Sequence, residues 1–278
     1  MEESGGMLTH NGEERLGARQ QLRYATRRLL RRAKFALGND PVFLPILLRL
    51  TPLGTSRKIT DHTDLVVEGF PRGGNTFTVF ALRDASKHEL DIVSHVHHPS
   101  QVKHATARNV PTVLVVREPV PVLASYLVFG KHGRPATVIR EYCAYHRVLL
   151  PYVDRVAVCD FKEITTDLSS VIARINGRFG LSIPPFDQSP TNVDAVFAEI
   201  SREHRLVHRH ADPTDVVPRP ATGRSDMTER MRASLQDPAH KALLDEATEL
   251  YEFFRAKAIE QRDAFEGQTS TQGEPSGT

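Results

Sequence analysis

A glycine-rich turn, Gly69-Phe70-Pro71-Arg72-Gly73-Gly74-Asn75-Thr76, comes just after the apolar run Leu65-Val66-Val67. It constrains the fold more than any other stretch, because a short apolar strand must deliver it and a helix must follow it. Gly69, four residues, Gly74 and then Thr76 is the spacing of a phosphate-cradling loop. Loops of this kind that hydrolyse nucleoside triphosphates carry a lysine that reaches the β and γ phosphates. Here Asn75 takes that place, so a conventional ATP or GTP hydrolase is not expected. Arg72 supplies a cation from a different position, which points to a nucleotide whose transferred group is not a γ-phosphoryl.

The chemistry of such a turn is that of converging amides. Backbone N–H groups surround one point at a helix N-terminus, where the dipole also favours an anion. Gly73 and Gly74 permit the close approach, the Arg72 fork suits phosphate or sulfate oxygens, and the Asn75 and Thr76 side chains are further donors. The plainer reading is a tight turn between two elements.

The rest of the chain alternates β-rich apolar runs with helical patterns, the signature of a parallel sheet with helical crossovers. Strands are expected at Leu65–Phe70, Leu90–His95, Thr112–Arg117 and Arg155–Phe161. Helices are expected at Thr76–Ala85, Pro121–Phe129, Arg134–Pro151, Thr166–Gly180, Val193–Ile200, Asp226–Gln236 and Ala239–Arg262. In the fourth, Thr165 or Thr166 is the expected cap, Asp167 favours the dipole, Gly180 closes the helix, and Leu168, Val171, Ile172, Ile175 and Phe179 form a core stripe. The fold class is therefore α/β, a three-layer arrangement of the P-loop NTPase type with a central, mainly parallel sheet flanked by helices. An α/β domain is assigned to residues 64–265. Residues 1–19 and 266–278 are expected to be disordered tails, and 20–63 a basic amphipathic helix with a connecting segment. That helix, Gln20–Leu37, is either solvated against the domain or laid on an anionic membrane surface.

The net charge of +2 gives no general reason to expect nucleic acid. Cys143 and Cys159 lack metal-ligand spacing and read as buried thiols of a reducing compartment. No run reaches the roughly 18 apolar residues of a membrane span, and the N-terminus does not look like a secretory signal. The expected location is cytoplasmic, with the basic helix as a point of peripheral membrane contact.

A second constellation is Val115-Val116-Arg117-Glu118-Pro119-Val120-Pro121, where Arg117 ends a strand and Ser125 lies eight residues later on a helix. Both can reach one phosphate. With the first loop, this pair resembles the sulfotransferase family that uses 3′-phosphoadenosine 5′-phosphosulfate (PAPS) as donor. In that resemblance Pro71, Arg72, Gly73, Gly74, Asn75 and Thr76 hold the 5′-phosphosulfate, with arginine in place of the family's lysine. Arg117 and Ser125 hold the 3′-phosphate. The resemblance covers roughly residues 64–181, where the stretch from Val158 to Leu181 is similar to the family's strand, acidic turn and helix. Phe77 is the nearest aromatic to the family's adenine-stacking tryptophan, which is absent here. Arg219, Gly223 and Arg224 stand for a basic, glycine-bearing loop over the 3′-phosphate.

The resemblance also implies a histidine base near the end of the second strand. Ser94-His95-Val96-His97-His98 offers His95, the preferred residue, and His97, with Arg72 as electrostatic stabiliser. Strand alternation would put His95 and His97 on one face and His98 on the other, so no metal is expected. The implied reaction moves a sulfonate to a hydroxyl or amine of a small-molecule, carbohydrate or lipid acceptor. The stretch 202–224 and the segment around His132 are candidates for lining its pocket. Two alternatives stay open: a P-loop nucleotide kinase-like enzyme, and an inactive protein of the same fold that binds nucleotide or membrane.

Overall fold

The structure, a computed structural model, describes residues 58–130, 133–207 and 225–272. Its apolar runs become β1 (Leu65–Gly69), β2 (Ile92–Ser94), β3 (Thr112–Val116) and β4 (Ala157–Asp160). They form one sheet of order β2-β1-β3-β4 with every neighbouring pair parallel. β2 is shorter than the expected Leu90–His95. It pairs with β1 alone, and His95 turns out of the strand with a φ of 64°.

Each crossover carries helix. In chain order these are α1 (Asn75–Ala85), α2 (Pro99–Ala107), α3 (Pro119–Gly130), α4 (Pro135–Leu149), α5 (Phe161–Thr166) and α6 (Leu168–Phe179). Then come α7 (Pro190–Val207), α8 (Ser225–Leu235) and α9 (Lys241–Gln272). Alternation along the strands divides the core. Leu65, Val67, Val113, Val115, Ala157 and Cys159 pack with α1, α6 and α7. Leu114, Val116 and Val158 pack with α3, α4 and α9. With both faces covered, the strands need no polar side, which is why they read as continuous apolar runs. Each large side chain so buried contributes about 1.5–3 kcal/mol.

Several expected boundaries move. α2 was not anticipated: its Ser100-Gln101-Val102-Lys103-His104 start has little apolar periodicity, and His98 caps it by accepting from Ser100 N. α6 is capped by Asp167, whose Oδ1 accepts from Ser170 N at 3.0 Å. Thr165 and Thr166 do not cap it, because they end the separate turn α5 and bond back to the Phe161 and Lys162 carbonyls. Gly180 closes α6 with a φ of 67°. Leu168, Val171, Ile172 and Ile175 are buried, with Phe179 partly so. α7 runs on to Val207, taking the first part of the expected 202–224 coil, and α9 passes both Arg262 and the expected tail boundary at Glu266. The Gln20–Leu37 helix and His132 lie outside the described residues. Among the described residues no helix is long and apolar enough to cross a membrane.

Cys143 and Cys159 are buried, and burial pushes both thiols up to about 11. At neutral pH they stay protonated, which suits a packing role. Beside Cys159, the buried Arg174 reaches both oxygens of the partly exposed Glu163 at 2.6 and 2.8 Å, a two-point ion pair that ties α6 to α5.

Candidate functional site

From β1 the chain crosses to β2 on one side, and from β2 it crosses back past β1 to β3 on the other. The crevice beyond the C-terminal ends of β1 and β3 is where α/β sheets of this order place ligands. Both constellations read from the sequence end there: the glycine loop follows β1, and Arg117 follows β3.

The loop is anchored by Phe70, whose ring meets Tyr126, Tyr142 and Tyr145 edge-on at centroid distances of 5.4, 5.2 and 5.8 Å. A first turn closes with Gly73 N donating to Phe70 O at 2.9 Å. Glycine is required at Gly74, with a φ of 116° and the Phe161 ring 2.5 Å from where a Cβ would stand. Arg72 is also left-handed, with a φ of 68°. α1 then begins with no side-chain cap on Gly74 and no acid in its first turn, leaving its positive end to a ligand or water.

Arg72 Nε donates to Ser125 Oγ at 3.1 Å, and Arg117 Nη1 donates to the Arg72 carbonyl at 3.1 Å. The loop, the end of β3 and the second turn of α3 thus meet. The Arg72 guanidinium also lies 4.7 Å from the Phe129 ring centre. Arg117 rests on Phe161 at 3.9 Å, and its backbone carbonyl accepts from the Tyr142 hydroxyl at 2.9 Å. Burial, followed by the charge of Arg232 on α8, lowers the Arg117 pKa from its ordinary value, while Glu118 and Asp160 oppose the shift. Arg117, bonded to the loop that opens α1 and repelled by the Arg232 guanidinium, makes a setting where an anion is favoured. Next to them, α3 and α8 enclose a shallow cavity of about 410 Å³ lined by Glu118, Pro121, Glu229 and Arg232, among others.

Two expected donor contacts are reassigned. The Asn75 side chain is buried, its Nδ2 donating to Gly69 O at 3.0 Å, so its amide straps the loop from beneath rather than facing an anion. Phe77 is also buried, stacked on Phe197 at 5.5 Å and edge-on to Phe186 at 6.2 Å. Its turn of α1 faces α7, so the ring belongs to the core and cannot stack on a base in the crevice. The aromatic rings beside the two arginines are instead Phe129 and Phe161. Arg219, Gly223 and Arg224 lie outside the described residues.

The histidines part company. His98 is buried as the α2 cap, and His104 lies on α2, its pKa lowered by partial burial and then by Arg108. His95 and His97 stay together, ring centroids 5.6 Å apart, although strand alternation is not the cause. Both have left φ-negative space, at 64° and 51°, so a turn rather than a strand presents them. His95 Nε2 lies 3.0 Å from Thr76 Oγ1, and His97 Nδ1 lies 3.0 Å from Gly69 O. Of the six left-handed non-glycine residues described, Arg72, His95 and His97 are three. Such conformations cost about 1–3 kcal/mol each and persist only where the surrounding structure over-determines the backbone.

Glu68, Tyr142, Phe161 and Arg232 also belong to the site, and no motif spacing in the sequence marks them. Glu68 alone left a signal there, an acid inside an otherwise apolar strand. Comparison of the chain with family models, curated proteins and solved structures gave no match.

Proposed function

We propose that the protein is a sulfotransferase-like enzyme of P-loop type, transferring the sulfonate of PAPS to a hydroxyl or amine acceptor. The observation that carries this reading is the 3.1 Å contact between Arg72 Nε and Ser125 Oγ. It joins two motifs that were read separately from the sequence, one for the 5′-phosphosulfate and one for the 3′-phosphate. The Arg117 bond to the Arg72 carbonyl reinforces the junction.

In the proposed reaction the α1 N-terminus and the loop amides hold the 5′-phosphosulfate, with Gly73, Gly74 and Thr76 at its edge. Arg117 and Ser125 hold the 3′-phosphate, and Arg72 bridges toward the bond that breaks. The acceptor oxygen or nitrogen attacks sulfur, and the bond from sulfur to the bridging phosphate oxygen breaks. The acceptor proton passes to a histidine of the His95–His97 turn, and the leaving electron pair stays on adenosine 3′,5′-bisphosphate. A small-molecule, carbohydrate or lipid acceptor fits, and a lipid-linked one would suit peripheral membrane contact by the basic N-terminal segment in the cytoplasm.

A second reading, nucleotide binding without transfer, draws on the inward turn of Asn75 and the engagement of Arg72 with Ser125. A kinase-like reading has less behind it, since no lysine follows Gly74. Calorimetry with adenosine 3′,5′-bisphosphate tests the site. Binding to the wild-type protein that is lost in Arg117→Ala is expected, and absence of wild-type binding retires the proposal. Transfer of labelled sulfonate that proceeds without magnesium then separates the sulfotransferase from the other two readings.

A further inference from the structure

We propose that Glu68 is a positioning residue of this site, holding the turn that commits His97 to the tautomer with its basic lone pair on Nε2. The role rests on the sulfonate-transfer reading, while the geometry beneath it does not.

Glu68 sits one residue before the end of β1, fully buried in a strand whose other members are apolar or glycine. A carboxylate there must be satisfied by hydrogen bonds. Its Oε1 accepts from Val96 N at 2.8 Å and its Oε2 from His97 N at 3.0 Å. One carboxylate therefore clamps two successive amides of the turn in which His95 and His97 are left-handed. The clamp carries His97 back over the end of β1, toward the residue that follows Glu68.

There His97 Nδ1 lies 3.0 Å from Gly69 O, and Asn75 Nδ2 lies 3.3 Å from that same Nδ1. The two contacts ask for opposite tautomers. A carbonyl oxygen only accepts, so the first requires a hydrogen on Nδ1; an amide nitrogen only donates, so the second requires a bare Nδ1. A bare Nδ1 would set its lone pair against that of the carbonyl. Gly69 O has two lone pairs and takes both donors, Asn75 Nδ2 at 3.0 Å and His97 Nδ1. Neutral His97 then carries its hydrogen on Nδ1, and Nε2 is the nitrogen that accepts a proton. The hydroxyl contacts of His95 do not choose between tautomers, since Nδ1 faces Ser94 Oγ at 2.5 Å and Nε2 faces Thr76 Oγ1 at 3.0 Å, and a hydroxyl can donate or accept.

Long-range nitrogen–proton NMR spectra of the full chain with ¹⁵N-labelled histidine, at a pH where His97 is neutral, read the tautomer directly, with His97→Gln assigning the signals. The expected pattern is a protonated Nδ1 and an unprotonated Nε2. In Glu68→Gln, which sets an amide N–H against one of the clamped amides, that pattern should shift toward the opposite tautomer, and hydrogen exchange at Val96 and His97 should speed up. A protonated Nε2 in the wild type overturns the proposal, as does a Glu68→Gln spectrum and exchange profile identical to wild type. Should Glu68→Gln not fold, Glu68→Asp, which keeps the charge but shortens the reach, must show the same loss of exchange protection, and full protection there overturns the proposal. The spectra need no nucleotide, so failure of the wild type to bind the bisphosphate removes the sulfonate-transfer reading separately.

Discussion

The guanidinium carbon of Arg117 lies 3.9 Å over the centre of the Phe161 ring, so the first residue after β3 is carried by the first residue after β4. Phe161 also abuts Gly74, and one ring thereby sets the spacing between the glycine loop and the second cation. A partly desolvated cation–π contact contributes about 0.5–2 kcal/mol. Phe161→Leu should therefore weaken adenosine bisphosphate binding ~2- to 30-fold by calorimetry. Unchanged affinity in a folded variant would mean that the ring does not position Arg117 for the ligand.

Gly74 meets two demands at once, a φ of 116° and the nearness of Phe161 to the place of a Cβ. Gly74→Ala should lower unfolding free energy by about 1–3 kcal/mol, measured by urea denaturation. Phe161→Leu in the same chain relieves only the crowding. The double variant should thus remain less stable than Phe161→Leu alone, and equal stability of the two would show that the backbone demand is slight.

How much of this was legible follows from where each side chain spends its bonds. The strand–loop–helix plan, the place of Arg117 at a strand end and the α6 stripe were readable, because local pattern and tertiary role coincide there. Phe77 and Asn75 misled for a shared reason: in the first turn of α1, residues one or two apart face different ways, and the packing of α7 decides which face is buried. Phe161 and Arg232 come from elements remote in sequence, with no spacing to betray them. The histidine turn was hidden as well, since the pattern of β2 continues on paper through His95, whereas the Glu68 clamp bends the chain after Ser94.

The Arg72–Ser125 contact makes a prediction about additivity. If both side chains grip one bound nucleotide, Arg72→Ala and Ser125→Ala should each weaken bisphosphate binding, and the double variant should lose less than the two losses added. Residues in direct contact show coupling of about 0.5–3 kcal/mol, against ~0.3–0.5 kcal/mol of scatter for independent sites. Strict additivity in the calorimetric cycle would mean that the contact is incidental to binding. Arg72→Lys should recover little, since a point charge cannot reproduce the planar fork directed at Ser125.

The last prediction concerns pH and the wall behind Phe70. His146 is buried among Phe70, Tyr142, Tyr145 and Phe254, and its Nδ1–H donates to Tyr142 O at 2.9 Å. Burial lowers its pKa from 6.5 to about 4, partly opposed by that hydrogen bond. Between these values the unfolded chain binds the proton and the folded chain does not, so stability rises with pH across this window. The contribution is complete above about 6.5 and is lost as pH falls toward 4, amounting to ~3 kcal/mol in all. His146→Phe keeps an aromatic ring and removes the titration. Urea denaturation of both proteins from pH 4 to 8 should show the variant gaining on the wild type steadily below pH 6.5. Parallel curves over that range would mean that His146 is protonated equally in the folded and unfolded states.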